Sequence, residues 1–368
     1  MKKRIHIVSL DVPFPPDYGA VIDIYYRCKA LKEAGYFVIL HCFEYGRGEN
    51  HLYNEVADKC FFYKRKLRFF DVFSFLPFIV KTRVNNALLS RLLDDDAPIL
   101  LEGQHCTWFL KNLVAKSKKV AVRIHNVEWY YYNLLSKREK HFLKKHFFKF
   151  EALKLKKHEA ILEGNFLFCV TEADQNYYLK KGCNAVLSPS QFNREKSTSA
   201  STENFVLYHG NLSIAENSEA LQTILNEYDV EKFPLPLIVA GKNPSNELIE
   251  QLRKRSITLI ANPDEDKMNQ LIQRAKVHLL ISNQASGLKL KVLNSLYSGS
   301  YCIATTEILY GTTLSQFCTV WDRKTTLASL LQHVPDINSE NKEARITWLD
   351  NNYGPQTFLE NIEIWLSN

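Results

Sequence analysis

The residues most able to do chemistry lie between two short apolar runs, Val277–Ile281 and Tyr301–Ala304, that predict buried strands. Gly287 stands at the predicted start of a helix over Leu288–Ser298, and Lys289 and Lys291 follow within one turn. A helix N-terminus presents free backbone N–H groups, and neighbouring lysines add positive charge. The spacing therefore predicts a phosphate-binding turn, with Asn294 about two turns into the helix.

A second set of candidates follows strands predicted in the first half of the chain. His125 and Glu128 come after the strand 119–124 and open a helix, although Glu128 also suits the helix dipole. Glu102 follows another predicted strand, 98–101, and is either a polar group of the site or a loop residue. Gly19 follows a proline-rich loop and begins a helix, where a ligand can approach the backbone closely.

Short apolar strands alternate with helical patterns almost throughout, which is typical of parallel βαβ units. We predict an α/β fold of two tandem Rossmann-like, doubly wound domains that face a cleft, with ligands at the carboxyl ends of the strands. The predicted boundaries are 1–188 for the first domain, 189–203 for a Ser/Thr-rich linker, 204–350 for the second domain and 351–368 for a closing helix. Long helices are predicted over 71–93 and 128–163.

Several segments resemble, in order, the motifs of family 4 glycosyltransferases. The segment 287–294, followed by Gly299 and Ala304-Thr305, resembles the Gly-x-Lys-x-Lys donor segment of that family. The remaining matches are His125-Asn126-Val127-Glu128, the first loop with Asp17-Tyr18-Gly19-Ala20, the turn His209-Gly210-Asn211-Leu212, and Ala240-Gly241-Lys242. Together these segments extend over nearly the whole chain.

The resemblance implies a GT-B enzyme for retaining hexosyl transfer from a nucleotide-sugar donor to a glycan or lipid-linked acceptor, as in polysaccharide biosynthesis. It implies that the catalytic residues are His125 and Glu128, that no metal cofactor is used, and that the closing helix crosses back to the first domain. The donor-binding residues that it implies are Gly19, Gly210, Asn211, Lys242, Ser286, Gly287, Leu288, Lys289, Lys291 and Asn294.

The sequence departs from the family pattern at two places. Ser286 and Asn294 stand where the family often has two Glu residues eight apart, and residues 211–217 contain no Arg or Lys to hold a diphosphate. Lys289, Lys291 or Lys242 must then serve. Two alternatives stay open: a degenerate member that binds a nucleotide-sugar or a partner without catalysis, and a nucleotide-sugar epimerase.

The charge is uneven along the chain, since residues 1–181 carry a net charge of +11 and the remaining residues a net charge of −4. Basic and aromatic residues are mixed in the segments 64–70 and 137–157. Such stretches are found both on anionic membrane surfaces and on solvated faces of ordinary helices, and both interpretations stay open. No nucleic-acid motif accompanies the charge, so we expect no nucleic-acid partner.

Other features predict a cytoplasmic protein without a structural metal. The apolar run from Ile5 to Leu10 is too short for a signal-peptide core, and the eight cysteines contain no C-x-x-C pair. The acidic clusters 94–96 and 264–266 are flanked like helix ends or caps. We therefore expect buried, reduced cysteines, no metal site and, at most, peripheral contact with a membrane.

Overall fold

The computed structural model of the chain describes residues 3–49, 51–194, 202–229, 231–285, 287–335 and 339–368. It divides into two compact units, Met1–Phe192 with Asn352–Asn368, and Asn193–Asn351. Seven of the fifteen residues of the predicted linker, 195–201, lie outside the described residues. No helix of the described residues is long and apolar enough to cross a bilayer.

The first unit is built on a seven-stranded, all-parallel sheet with the order β3-β2-β1-β4-β5-β6-β7. Its central strands are buried except for Arg4 at the start of β1, as expected for a parallel sheet covered on both faces. The strands are β1 (Arg4–Ser9), β2 (Phe37–Glu44), β3 (Lys59–Lys64), β4 (Ile99–Glu102), β5 (Val120–Ile124), β6 (Phe166–Cys169) and β7 (Asn184–Leu187).

Helices cover both faces of this sheet, and the last helix of the chain packs into the same core. Phe358, Ile362 and Trp365 of that closing helix are buried in the cluster that contains β1 and β2. The helices of the first unit are α1 (Gly19–Glu33), α2 (Phe78–Lys81), α3 (Asn86–Leu93), α4 (Leu110–Ala115), α5 (Glu128–Arg138), α6 (Phe142–His158), α7 (Glu172–Leu179) and, closing the chain, α14 (Pro355–Ser367).

The second unit has a six-stranded parallel sheet with the order β10-β9-β8-β11-β12-β13. Its strands are β8 (Glu203–Asn211), β9 (Leu237–Lys242), β10 (Thr258–Ala261), β11 (Ala275–Leu280), β12 (Tyr301–Thr305) and β13 (Thr319–Trp321). Its helices are α8 (Ala215–Glu227), α9 (Asn246–Lys254), α10 (Glu265–Arg274), α11 (Leu290–Ser298), α12 (Leu327–Gln332) and α13 (Ser339–Tyr353), of which α13 ends two residues beyond the division between the units.

Both sheets confirm the predicted doubly wound class. Each reverses its strand order once, between β1 and β4 in the first unit and between β8 and β11 in the second. Ligands bind at the carboxyl ends of the strands beside such a reversal. The residues after β1, β4, β8 and β11 are therefore the ones that the fold makes available for a site.

Two long helices predicted from the sequence are broken. Residues 71–93 contain a 3-10 turn and the separate helices α2 and α3, because Pro77 lacks a backbone donor and Asn85 caps α3 through its side chain. Residues 128–163 contain α5 and α6, separated where Glu139 and His141 adopt extended backbone. The apolar periodicity continues through both breaks, so the pattern alone predicted one helix.

Candidate functional site

A buried cluster of charged side chains lies at the carboxyl edge of the first sheet; we call Asp23, Arg27, Glu102, Arg123 and His125 the ion cluster. Glu102 ends β4 and His125 follows β5, and the register pairs Glu102 with Arg123. Asp23 and Arg27 lie one turn apart on α1. The four members other than His125 are at most 1% exposed. Their two carboxylates and two guanidinium groups balance one another, as burial of charge requires.

Asp23 is the acceptor that organises this cluster. It accepts from Nε and Nη2 of Arg123 at 3.1 and 2.9 Å, from Nε of Arg27 at 3.2 Å and from the backbone N–H of Gln191 at 2.7 Å. Burial opposes ionisation of Asp23, but the two guanidinium groups lower the pKa of Asp23 below its ordinary value. The cluster thus fixes α1, β5 and the segment after β7 relative to one another.

His125 is the member of the ion cluster that reaches solvent. Its Nε2 lies 3.1 Å from Oε2 of Glu102, and its Nδ1 lies 3.9 Å from Oδ2 of Asp23. Burial disfavours the Glu102 carboxylate, but Arg27 at 2.5 Å and the hydrogen bond from His125 lower the pKa of Glu102. A carboxylate can only accept, so Nε2 of His125 carries the proton of this bond. The ring is held at the sheet edge with a defined tautomer.

Glu128 lies apart from this arrangement. It begins α5, is 5% exposed and makes no hydrogen bond with the His125 side chain in the structure. Burial and the nearby Asp174 raise the pKa of Glu128 to about 8. Burial also raises the pKa of Asp174 to about 6, although the Thr171 hydroxyl donates to it at 2.7 Å. The two predicted catalytic residues are therefore not brought together as an acid–base pair.

Gly19 is the first residue of α1 and is exposed. A Cβ placed there would meet no atom within 4 Å, so packing does not require glycine at this position. Tyr18, the N-cap residue, makes no side-chain capping bond, and the first turn of α1 contains no acidic residue. The N-terminus of α1 is therefore open to an anion.

At the edge of the second sheet, the turn after β8 is closely packed. Gly210 and Gly241 face each other on β8 and β9, and a Cβ on Gly241 would overlap the carbonyl oxygen of Gly210. Asn217, in the first turns of α8, donates from Nδ2 to the carbonyl of Asn211 at 3.0 Å. Tyr208 donates its hydroxyl to the carbonyl of Asn217 at 2.6 Å. These contacts give Gly210 and Gly241 a structural reason to be glycine.

The two predicted lysines converge on this turn from the other side of the strand reversal. Lys289 pairs with Glu216 of α8 at 3.2 Å. Nζ of Lys291 lies 3.4 Å from both Oδ1 of Asn217 and the carbonyl of Ile281, and 5.3 Å from the centre of the Tyr208 ring. Burial, opposed by Glu216, lowers the pKa of Lys291 to about 8. Residues 211–217 contain no Arg or Lys to hold a diphosphate, but the ammonium group of Lys291 lies beside Asn217 of this segment.

The remaining members of the donor segment surround these lysines. The helix α11 begins at Leu290, so the prediction that it opens at Gly287–Leu288 is wrong by two to three residues. Gly287 lies before the helix and takes a φ of +58°, which favours glycine. Leu288 is half-buried, and Ser286 lies outside the described residues. Asn294 is half-buried three residues after Lys291, on the same helix face, and its side chain makes no hydrogen bond to any described residue.

Lys242 and Arg323 also stand at this sheet edge. Lys242 ends β9, pairs in register with Asn211 and has an exposed side chain. Arg323 follows β13 and donates to Oε1 of Glu307 at 2.9 Å and to Oδ1 of Asn283 at 2.7 Å. The sequence analysis did not name Arg323; its place directly after a strand was the available signal.

The acidic clusters lie at helix ends, as the sequence predicted, and Asp94 is the C-cap residue of α3. Asp95 accepts from His6 at 3.0 Å and from the backbone N–H of Ala97, Asp96 pairs with Lys118, and Asp264 caps α10. In the part of the chain that the structure describes, no cluster of three His, Cys, Asp or Glu residues could hold a metal ion. That the protein uses no metal cofactor stays a prediction.

Chemically, the second unit offers the clearer site. Lys289 and Lys291 lie at the N-terminus of α11, where the helix dipole disfavours cations, and the first turn of α11 contains no acid. Glu216 balances one positive charge of the two. The remaining positive charge and the free backbone N–H groups at the start of the helix can together bind an anion such as a diphosphate.

Comparison of the sequence with known proteins gives a distant relative. No protein-family model matches the chain. A Klebsiella pneumoniae protein, described as an uncharacterized 44.6 kDa protein in the cps region, is 24% identical and covers 82% of this chain and 82% of its own length.

Solved structures match over the whole chain. A sucrose-phosphate synthase from Thermosynechococcus elongatus superposes with a TM-score of 0.69, at 15% identity and full coverage of both chains. Anabaena HepE in complex with UDP and glucose gives 0.65 at 12% identity, with 99% of each chain covered. A trehalose-6-phosphate synthase studied for glycosyl transfer with retention gives 0.62 at 12% identity, with 98% and 99% covered. The chain therefore has the GT-B fold, two tandem Rossmann-like domains, that was predicted from its sequence.

Proposed function

We propose that this protein is a retaining glycosyltransferase that moves a hexose from a nucleotide-sugar to a glycan or lipid-linked acceptor in polysaccharide biosynthesis. The observation that carries the proposal is Lys291, a half-buried cation whose pKa burial lowers to about 8. Its two hydrogen bonds, both 3.4 Å long, go to neutral oxygens of Asn217 and Ile281. A buried ammonium without a full counter-charge is costly, and a diphosphate would supply that charge.

In this proposal the second domain binds the donor. The diphosphate lies against Lys289, Lys291 and the backbone before α11, and Asn294 meets the ribose. The bond between the anomeric carbon and the diphosphate breaks, the acceptor oxygen bonds to the same face of that carbon, and the acceptor proton passes to the leaving phosphate. Lysines placed where negative charge develops stabilise the transition state more than the ground state.

The first domain binds the acceptor in this proposal. His125 is held at the sheet edge by the ion cluster, with its ring partly open to solvent. It offers a hydrogen-bonding group to a sugar hydroxyl there. Glu128, with a pKa raised to about 8, is protonated at neutral pH and acts as a hydrogen-bond donor rather than as a base.

Two of the similar proteins support the proposed donor class and the proposed role in polysaccharide biosynthesis. HepE was solved with UDP and glucose, which favours UDP-sugars as the first donors to test. The Klebsiella relative belongs to a cps region, which supports a role in polysaccharide assembly. Peripheral contact with an anionic membrane belongs to the same proposal, since the basic residues are concentrated in the first half of the chain.

A thermal-shift screen against UDP, GDP, CMP and their common sugar conjugates tests the donor site. We expect one nucleotide family to stabilise the wild type and to stabilise Lys289→Ala much less. Because Lys289 is 24% exposed, this variant is expected to fold. An absence of any shift with all nucleotides in the wild type would contradict the proposed donor site.

Asn294 stands where the family often has its second Glu, so the experiments must also distinguish a degenerate binding protein and a nucleotide-sugar epimerase. A degenerate binding protein is stabilised by a nucleotide but releases none from its sugar conjugate. An epimerase changes the donor sugar with no acceptor present. The product is an isomer of equal mass, which chromatography separates from the original nucleotide-sugar. Release of nucleoside diphosphate with an unchanged sugar excludes both.

A further inference from the structure

The most exposed apolar side chains of the described residues are not scattered. Every large apolar side chain more than 55% exposed lies in one of two segments of the first unit, the loop 69–75 or the helix α6. They are Phe69, Phe70, Phe73 and Phe75 of the loop and Phe142, Leu143, Phe150 and Leu153 of α6. Single exposed apolar residues are ordinary, but a group of this size marks an interaction site.

The helix α6 has two apolar faces. Successive residues of an α-helix are rotated by about 100°, so Phe142, Leu143, Phe150 and Leu153 fall within an arc of about 100°. Ala152 and Leu155, which pack inward, lie opposite that arc. One apolar face suffices to attach a helix to its own domain. The second face is therefore free for another partner.

The loop and the exposed face of α6 are joined into one surface. Nζ of Lys154, which borders the exposed face, donates to the carbonyl of Val72 at 2.7 Å. The backbone N–H of Phe78 donates to Glu151 at 2.6 Å. We call the eight apolar side chains, together with the exposed Lys66, Arg68, Lys149 and Lys157, the basic aromatic surface.

Charge identifies the partner. Residues 64–75 carry a net +3 and residues 137–157 a net +7, whereas the whole chain carries +7. A second copy of the chain would bring the same positive surface and would be repelled. Amphipathic surfaces with aromatic residues and lysines bind at the boundary between headgroups and acyl chains of anionic bilayers.

The surface also begins where the proposed site lies. The loop follows the carboxyl end of β3, and α5 and α6 follow the carboxyl end of β5, directly after His125. Gln104, just after β4, donates to the carbonyl of Leu155 in α6 at 3.1 Å. Docking would therefore hold the carboxyl edge of the first sheet near lipid, where a lipid-linked acceptor presents its sugar.

We infer that the basic aromatic surface docks the protein on an anionic lipid bilayer. The inference assigns a surface to the peripheral membrane contact of the proposed function, and it rests on that function for the nature of the acceptor. Lipid binding needs no donor, so it can fail while nucleotide binding succeeds, and the reverse.

The test is cosedimentation of the full chain with vesicles of phosphatidylcholine alone and of phosphatidylcholine with 30% phosphatidylglycerol. The wild type should bind the anionic vesicles. We expect F70S/F73S/F75S and F142S/F150S/L153S each to lower the partition coefficient at least tenfold. K149Q/K157Q should lower it by about fivefold per lysine, with anionic vesicles only.

Matched controls remove exposed apolar groups elsewhere, by Ile249→Ser in α9 and Ile364→Ser in α14, and should bind as the wild type does. Because all these side chains are exposed, the variants are expected to fold, and an unchanged melting temperature verifies this. No binding of the wild type to anionic vesicles overturns the inference, as does binding that neither triple variant reduces. A dimer by light scattering that the triple variants dissociate, without vesicle binding, identifies a second copy as the partner instead.

Discussion

The substitution Lys291→Met separates a lysine retained for binding from one retained for stability. Met keeps the length of the side chain and removes the charge. Burial lowers the pKa of Lys291 from 10.5 to about 8, and each pKa unit corresponds to about 1.36 kcal/mol. The charged form therefore costs about 3 kcal/mol in the folded protein.

Two contacts offset this cost. Nζ of Lys291 bonds Asn217 and Ile281 at 3.4 Å, and such long bonds contribute less than about 1 kcal/mol each. We expect Lys291→Met to raise the free energy of unfolding by about 1–3 kcal/mol at pH 7. At about 2–4 °C per kcal/mol for a unit of this size, the melting temperature rises by several degrees.

The pH dependence carries a definite sign. Between pH 8 and 10.5 the unfolded chain holds the proton that folded Lys291 releases, so wild-type stability gains with pH in this window. The advantage of Lys291→Met is largest below pH 8 and disappears as the pH approaches 10.5. Melting curves of both proteins at pH 7 and 10 measure it.

The same variant should bind UDP poorly. Loss of one charge-assisted hydrogen bond costs about 1.5–3 kcal/mol, which corresponds to an increase of roughly 10- to 100-fold in Kd by calorimetric titration. Lys289→Met is the matched control for stability, because it breaks the ion pair with Glu216 and should not raise the melting temperature. A destabilised Lys291→Met with unchanged UDP affinity would refute the reasoning.

Three further substitutions and one control test the remaining geometry. Glu128→Gln should raise the melting temperature at pH 8.5 and have little effect at pH 4.5. The reason is that the raised pKa of Glu128 makes the wild type lose up to about 4 kcal/mol of stability as the pH rises from 4.5 to 8. Equal effects at both pH values would contradict the burial of Glu128. Asp23→Asn should cost about 3–5 kcal/mol in urea unfolding, because it leaves Arg27 and Arg123 buried without their acceptor, and a loss below 1 kcal/mol would show that the ion cluster is not coupled. Gly241→Ala should cost about 1–3 kcal/mol, as its Cβ overlaps Gly210, while Gly19→Ala, with open space around it, should stay within about 0.5 kcal/mol of the wild type in the same assay.

The architecture was predictable because parallel strands buried on both faces appear as short apolar runs. The strand predicted over 119–124 differs by one residue from β5 (Val120–Ile124). The start of α1 was predicted at Gly19, which is where the helix begins in the structure. Breaks within long apolar patterns were not predicted, since the periodicity of α5 continues into α6.

The candidate site was predictable only in part. The lysines of the donor segment were named from their spacing, but their approach to Glu216 and Asn217 depends on which strands are neighbours. Asp23 lies on a helix whose sequence gives no sign that this acid is buried. Its role follows from Arg123, 100 residues away, which no local pattern reveals.

The central claim, glycosyl transfer with retention from a nucleotide-sugar, is tested most directly by a proton NMR time course of the wild type with UDP-glucose and no added acceptor. Water then acts as a slow acceptor. The account predicts release of UDP together with α-glucose as the first product, both reduced at least tenfold in Lys291→Met. First release of β-glucose, a changed sugar still attached to UDP, or binding of UDP-glucose without any release would contradict it.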